Sequence, residues 1–319
     1  MASAATSVAA NGANGTGSLS ERVPTYHKVA DAQYTLPNDA PEHIRLETQA
    51  AHLSALMNNK VVHAPIPQTA TRLLDVGCGT GIVTDLLART FPAATAYGID
   101  LSPVPALHSR PPNVRFIQGN ILKAPESDST DDFDGQLAQT GAALPSNAFD
   151  YIYSRLLLCG MSDWPRYLRS TYRLLKAGGW AEMHDLDWAW YDGSGKLISN
   201  DWEWLQVMKE AGEARGLDFE CGSRVKGRME EAGFVEVERY EYSWPYGGEW
   251  EARPEMQAFG EYVATAMPEL FHHAIPKMLE GRGYTDEQVD RWRQQMRHDF
   301  RREKGKHWIF YVTVGRKPE

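Results

Sequence analysis

The sequence predicts an α/β fold with an open, doubly wound sheet, and three observations carry that expectation. Arg72 to Gly81 reads as a short buried strand broken by glycines into a turn that opens directly into a helix. A second strand pattern over 94–99 ends in Asp100, about 20 positions beyond the glycines, where a doubly wound fold places an acidic residue beside its ligand. Further strand patterns over 113–121, 149–155 and 180–184 continue the sheet, with a helical pattern before the last.

In the first unit, Leu73, Leu74 and Val76 suit a buried strand, and Gly77, Gly79 and Gly81 follow at alternate positions. Val83, Leu86, Leu87 and Thr90 then share one helix face, with Pro92 as a stop. Glycines at such a junction let a ligand approach the main chain closely. The spacing fits neither a dinucleotide fingerprint nor a phosphate loop, because the third glycine comes two positions after the second and no lysine follows. Asp75, two residues before Gly77, repels a pyrophosphate and favours a cation, so S-adenosylmethionine, with its sulfonium and ammonium, fits better. The loop alone leaves a ligand-free turn open, since such turns are common in α/β proteins.

Composition narrows the alternatives. A chain of 319 residues with 42% hydrophobic content can bury a full core, as one elaborated domain or two small ones. A formal net charge of −9 argues against nucleic acid as a partner, and no apolar run approaches the ~20 residues that span a membrane. Cys78, Cys159 and Cys221 are far apart and odd in number, which suggests neither a disulfide framework nor a zinc site and fits a reducing compartment. The expected location is the cytoplasm, with the nucleus left open. Residues 1–21 read as a disordered tail rich in Ala, Ser, Gly and Asn, without the apolar core of a secretory signal.

In chain order, Asn38 or Asp39 caps a helix with Pro41 in its first turn, and Leu46, Ala50, Leu53 and Met57 line one face. Glu42, Arg45, Gln49 and His52 line the other, ordinarily a solvated face. A helix that precedes the first strand can instead lie over the cofactor, which makes Arg45 a candidate. Asp100 is placed to bind the ribose hydroxyls, while Asn120 and Ile121, at the end of the third strand, are placed beside the adenine. The acidic run from Glu126 to Asp134 reads as a solvated insertion rather than a metal site. Lys176 to Trp180 marks a turn into a fifth strand whose Glu182 and His184 share a face. Ligands lie outside the carboxyl ends of such strands, so Ser154, Arg155, His184, Asp185 and Asp187 are expected near the crevice.

The aromatic stretch with Trp188, Trp190, Tyr191, Trp202 and Trp204 suits either core or a flat organic substrate. A helix over 223–232 and an alternating strand over 234–244 follow. Residues 251–305 read as helical, with a capping box at Thr285 and Gln288 and a basic face of Arg291, Arg297, Arg301, Arg302, Lys304 and Lys306. They form an insertion ahead of a closing strand over 307–316.

Tyr34-Thr-Leu-Pro-Asn-Asp, Leu74-Asp-Val-Gly-Cys-Gly-Thr-Gly, Asp100-Leu-Ser-Pro, Pro111-Pro-Asn-Val, Phe149-Asp-Tyr-Ile, Asp163-Trp-Pro and Leu175-Lys-Ala-Gly-Gly-Trp occur in that order. With these stretches the chain resembles class I S-adenosylmethionine-dependent methyltransferases of the fungal LaeA-like family, over about Tyr26 to Asp187. The resemblance implies a Rossmann-like seven-stranded methyltransferase sheet with its last strand antiparallel. It also implies cofactor contacts at Asp75, Gly77, Gly79, Asp100, Leu101, Asn120 and Ile121. Tyr34, Arg45, Cys78, Ser154 and Arg155 complete the expected cofactor set. After the tail, residues 22–319 are expected to form a single methyltransferase domain, with a helical lid over 22–68, a cofactor core over 69–187, and the remaining strands and substrate-side helices over 188–319. The chain departs from the family pattern where Pro105 follows Val104 directly and where Gly119-Asn120 stands in place of paired acids.

Methyl transfer from a sulfonium is an in-line displacement, so the protein mainly aligns the nucleophile with the methyl. A hydroxyl or amine acceptor also needs a base, and His184 is the catalytic candidate, with His27, His272 and His273 behind it. A structural role for His184 is an equal expectation. The function expected is O-methylation of a small molecule in fungal secondary metabolism, with an aromatic acceptor left open and no metal. The alternatives are a LaeA-like regulator acting through a protein partner and a cofactor-bound cyclase that transfers no methyl. A homodimer also stays open.

Overall fold

The computed structural model describes residues 23–27, 29, 32–124, 126–127, 143–247 and 253–319. The expected tail and most of the acidic insertion lie outside the described residues. The principal elements are α1 (Ala40–Leu56), β1 (Arg72–Val76), α2 (Ile82–Thr90), β2 (Thr95–Asp100), β3 (Val114–Gln118), β4 (Phe149–Arg155), α3 (Trp164–Leu174), β5 (Leu175–Leu186), α4 (Glu203–Glu213), α5 (Cys221–Glu231), β6 (Val235–Pro245), α6 (Pro254–Leu279), α7 (Asp286–Asp299) and β7 (His307–Arg316). A two-residue parallel ladder, Glu126–Ser127 with Leu144–Pro145, stands apart.

Among the described residues one sheet has seven strands in the order β3-β2-β1-β4-β5-β7-β6. The pairs from β3 across to β5 are parallel, and β7 runs antiparallel to both β5 and β6. β1 and β4, both almost wholly buried, carry apolar residues on both faces as strands covered on two sides must. Strand order reverses between β1 and β4, and a crevice opens at their carboxyl ends.

Three local features differ from expectation. β5 begins at Leu175 because pairing to β4 resumes across a wide bulge, from Phe149 opposite Leu175 to Tyr151 opposite Trp180. The expected turn is the bulge itself, with Gly178 at φ 74°. The polar face of α1 is not solvated. Glu42 and Gln49 are buried, and His52 stacks on Phe259 and Tyr262 of α6 with ring centroids 5.0 Å apart in both cases. Lys306 leaves the expected basic face and is 1% exposed, its Nζ donating to the carbonyls of Asp299 and Arg301 at 2.6 and 3.0 Å.

The reciprocal capping box of α7 forms as expected, with Thr285 Oγ1 accepting from Gln288 N at 3.3 Å and Gln288 Oε1 from Thr285 N at 2.9 Å. Thr285→Ala is expected to lower stability by about 1 kcal/mol, read by chemical denaturation. Among the described residues no helix is long and apolar enough to cross a membrane.

Candidate cofactor and acceptor site

A cavity of about 550 Å³ opens at the β1–β4 switch point and runs beneath α1 and α6. At one end lie the glycine loop and the tips of β1, β2 and β3. Gly77, Gly79 and Gly81 all have positive φ, at 68°, 55° and 78°, and a Cβ on Gly77 would lie 2.5 Å from Leu157 Cδ2. A side chain at 77 is therefore strained by the backbone and would also have to push the end of Leu157 aside.

Two carboxylates define this end. Asp100 Oδ2 accepts from Gly79 N at 2.9 Å and its Oδ1 from Ser102 N at 3.0 Å, which joins the loop to the tip of β2. Asp75 accepts from Thr84 Oγ1 at 2.7 Å. Burial raises both carboxyls, Asp75 to about 6 despite the Thr84 hydrogen bond and the nearby Arg155. The Cys78 thiol is buried and pushed up in the same way, so it stays protonated.

The N-terminal segment closes over the loop. Asn38 Nδ2 donates to Ser102 Oγ at 2.7 Å, and Tyr34 is held by its carbonyl to His27 Nε2 at 2.9 Å. Arg45 grips Glu42 through two hydrogen bonds of 2.7 Å, and its remaining terminal nitrogen, Nη1, is buried with no partner. At the far end of the cavity stand Trp188, Trp244, Trp308 and Phe271, from β5's continuation, β6, β7 and α6.

The sequence matches the family described as methyltransferase domain over residues 43–239. The chain belongs to that methyltransferase family. It is 26% identical over 298 residues to methyltransferase pytC of Aspergillus terreus, covering 92% of this chain and 86% of pytC. It is 30% identical over 218 residues to the secondary metabolism regulator laeA of Aspergillus fumigatus, covering 67% of this chain and 53% of that protein. Among solved structures, phosphoethanolamine N-methyltransferase 2 of Haemonchus contortus in complex with S-adenosyl-L-methionine superposes with a TM-score of 0.44 at 15% identity, over 86% of this chain and 53% of that one. The family match bears out the methyltransferase resemblance, and the strand order bears out the seven-stranded sheet with its antiparallel last strand.

This methyltransferase uses S-adenosylmethionine, and the residues at the loop end fit it. Carboxylates suit its ribose hydroxyls and cationic centres, the unpartnered Arg45 Nη1 suits its carboxylate, and Leu101 with Ile121 offers apolar contact for its adenine. Of the residues singled out from sequence, Tyr34, Arg45, Asp75, Gly77, Cys78, Gly79, Asp100, Leu101, Asn120, Ile121 and Arg155 all line the cavity. Asn120 Oδ1 already accepts from Leu122 N at 2.9 Å, which leaves its NH2 as the donor for a ligand.

Ser154 and His184 do not line the cavity, and neither do Asp185 and Asp187. Alternation turns Ser154 to the opposite sheet face from Arg155, where it packs beside Tyr167. Asp185 accepts from Leu157 N and Asp187 from Ser223 N, at 2.9 and 3.0 Å, so both serve loop geometry. His184 is 1% exposed, with Nε2 bonded to Glu182 Oε1 at 2.6 Å and Nδ1 to the Tyr153 hydroxyl at 3.1 Å. Both of its nitrogens are engaged, so it cannot touch an acceptor directly. Tyr153, which sequence reasoning passed over, does line the cavity. Its signal was strand alternation, which puts it on the face of Arg155, with parallel pairing that sets it opposite Glu182.

Proposed function

We propose that this methyltransferase methylates an oxygen of a small, flat organic molecule in fungal secondary metabolism. The observation that carries the reading is the single continuous cavity, carboxylate-lined at the glycine loop and aromatic at its other end. Trp244 Nε1 and Trp308 Nε1 are buried without partners on cavity-lining residues, and an oxygenated acceptor would satisfy them. The names of the fungal relatives, a methyltransferase and a regulator of secondary metabolism, support the setting.

In this reading Asp100 binds the ribose, Asp75 and Arg45 face the methionyl end, and Ile121, Leu101 and the Asn120 amide hold the adenine, while Tyr34, Cys78, Gly77, Gly79 and Arg155 shape the walls. The cofactor supplies an activated methyl on a sulfonium. The chain's own residues exclude water and align the acceptor oxygen behind that methyl, which in favourable cases lowers the barrier by about 7–11 kcal/mol. The test incubates the protein with methyl-labelled S-adenosylmethionine and fungal extract. A labelled small molecule heavier by one methyl on oxygen is expected, and label confined to protein would overturn the reading.

The raised Asp75 carboxyl also predicts a pH dependence. A cationic cofactor favours the ionised form, so binding expels the proton that Asp75 holds below about 6. Affinity for S-adenosylmethionine is expected to rise as pH climbs through that value, with proton release in calorimetry. Asp75→Asn should flatten the dependence, and a flat profile in the native protein would contradict the assignment.

A further inference from the structure

Across the sheet, in the strand order β3-β2-β1-β4-β5-β7-β6, the cavity meets Asp100 at β2, Asp75 in β1, Arg155 at the end of β4, Trp188 after β5, Trp308 in β7 and Trp244 in β6. Arg155 thus stands at the junction between the carboxylate end and the aromatic wall. It is half-buried and lines the cavity. The chain turns sharply after it. Leu156 has φ 55°, a backbone that residues other than glycine rarely adopt, and its N–H donates to the His184 carbonyl at 2.8 Å while Leu157 N donates to Asp185 Oδ2 at 2.9 Å. Strain of this kind persists only where the surroundings hold it, and here it fixes the point from which Arg155 projects.

The charge of Arg155 is poorly matched. Among the described residues no carboxylate forms an ion pair with its guanidinium. Its neighbours are the Tyr153 hydroxyl and, at longer range, Asp75, the group that faces the cofactor's cationic end in the reading above. Bound S-adenosylmethionine adds a sulfonium to the same junction, so two positive centres meet there. A second half-buried guanidinium, Arg215, also lines the cavity and has Arg282 as a like-charged neighbour. The carboxylate near it, Glu280, is taken by Lys277 at 2.6 Å.

Among the described residues that line the cavity, the groups able to deprotonate a neutral acceptor are engaged elsewhere. His27 donates from Nε2 to the Tyr34 carbonyl and accepts at Nδ1 from Val29 N, and His43 Nε2 donates to Asn38 Oδ1, so both imidazoles belong to the segment over the glycine loop. Burial pushes Tyr34, Tyr153, Cys78 and Cys159 up, and they stay protonated. Asp163 caps α3, accepting from Arg166 N at 2.9 Å, and Asp75 and Asp100 are assigned to the cofactor. Methylation of an oxygen without a base requires an oxygen already ionised at neutral pH, a condition that a carboxylic acid meets.

We propose that the acceptor is a flat carboxylic acid, steered in by Arg215 and held by Arg155 through one carboxylate oxygen, and that the product is its methyl ester. The proposal rests on oxygen being the methylated atom. The other carboxylate oxygen forms the bond to the methyl as the methyl–sulfur bond breaks, and the electron pair of that bond stays on sulfur. No proton moves. A carboxylate and a sulfonium become a neutral ester and a neutral thioether, so a dry aromatic wall, which solvates ions poorly, favours the transfer.

The test incubates the native protein with methyl-labelled S-adenosylmethionine and the organic-acid fraction of a fungal extract, separates small molecules from protein, and treats them with mild alkali. Methyl esters then release labelled methanol, whereas methyl ethers and methyl groups on nitrogen or carbon do not. Alkali-released methanol is expected, and its absence overturns the proposal. Label held in an ether leaves O-methylation standing, and label on nitrogen or carbon overturns that reading too. At saturating cofactor the rate is expected to stay flat between about pH 7 and 9, where a carboxylic acid is already ionised; a rise toward about 10, as for a phenol, would contradict it. Arg155→Gln should slow ester formation on the order of 10²-fold, with S-adenosylhomocysteine still bound at about pH 8. Arg155→Lys keeps the charge without the fork and should recover part of the rate. A rate for Arg155→Gln within about threefold of native removes Arg155 from the acceptor. Arg215→Gln should raise KM for the acid and weaken its salt dependence, and a native KM removes the steering.

Discussion

Glu182→Ala is expected to destabilise the protein by about 3–5 kcal/mol, the penalty for breaking a buried charged network. Glu182 is fully buried, and its two oxygens collect the N–H groups of His63 and Ala64 at 2.8 to 3.0 Å together with both imidazoles. Removing it leaves these donors unsatisfied and releases the segment between α1 and β1 from the sheet. Glu182→Gln keeps an accepting oxygen but turns an NH2 toward donors, so a smaller loss is expected. The pH signature has a definite sign. The carboxyl titrates near 4.5 when unfolded and near 2 when folded, so its contribution is present above about 4.5 and is lost as pH falls toward 2. Denaturation curves across that window should show a component in the native protein that Glu182→Ala lacks.

Asp100→Ala is expected to weaken S-adenosylmethionine by at least about 10²-fold, because charge-assisted hydrogen bonds are worth roughly 1.5–3 kcal/mol each. An ionised carboxylate has about four lone-pair positions, and Gly79 N and Ser102 N occupy two in this structure. The others are available to a ribose. The substitution also frees the glycine loop, whose peptide at Gly79 loses its acceptor. Asp100→Asn retains one oxygen and should fall between the two. Calorimetry reads the effect, and equal affinities for native protein and Asp100→Ala would remove Asp100 from the ribose.

What the sequence made legible was local chemistry. Gly77, Gly79 and Gly81 demand a turn with positive φ, strand ends at Asp75 and Asp100 follow from apolar runs, and the capping box at Thr285 needs only four residues. Arg45 was readable as a candidate because its helix precedes β1. The covering of that face was not, since α6, which packs on it, arrives more than two hundred residues later. The aromatic wall had the same difficulty. Trp190 and Trp204 are core, whereas Trp188 reaches the cavity and is joined there by Trp244, Trp308 and Phe271, a sorting that depends on how β6, β7 and α6 pack. His184 shows the limit of strand-end reasoning. The strand end is near the crevice and His184 shares the sheet face of Arg155, but its bonds to Glu182 and Tyr153 hold the imidazole away from the cavity, and His63, which meets the same Glu182, comes from a segment with no sequence signal.

The central claim is that the glycine loop, Asp75 and Asp100 hold the cofactor at one end of a cavity whose aromatic end takes the acceptor. A crystal structure of the protein with S-adenosylhomocysteine tests it most directly. The expected result is ribose hydroxyls on the Asp100 carboxylate, adenine against Ile121, and the sulfur pointing toward Trp188 and Trp244. Ribose bound away from Asp100, or a sulfur facing away from the aromatic wall, would contradict it.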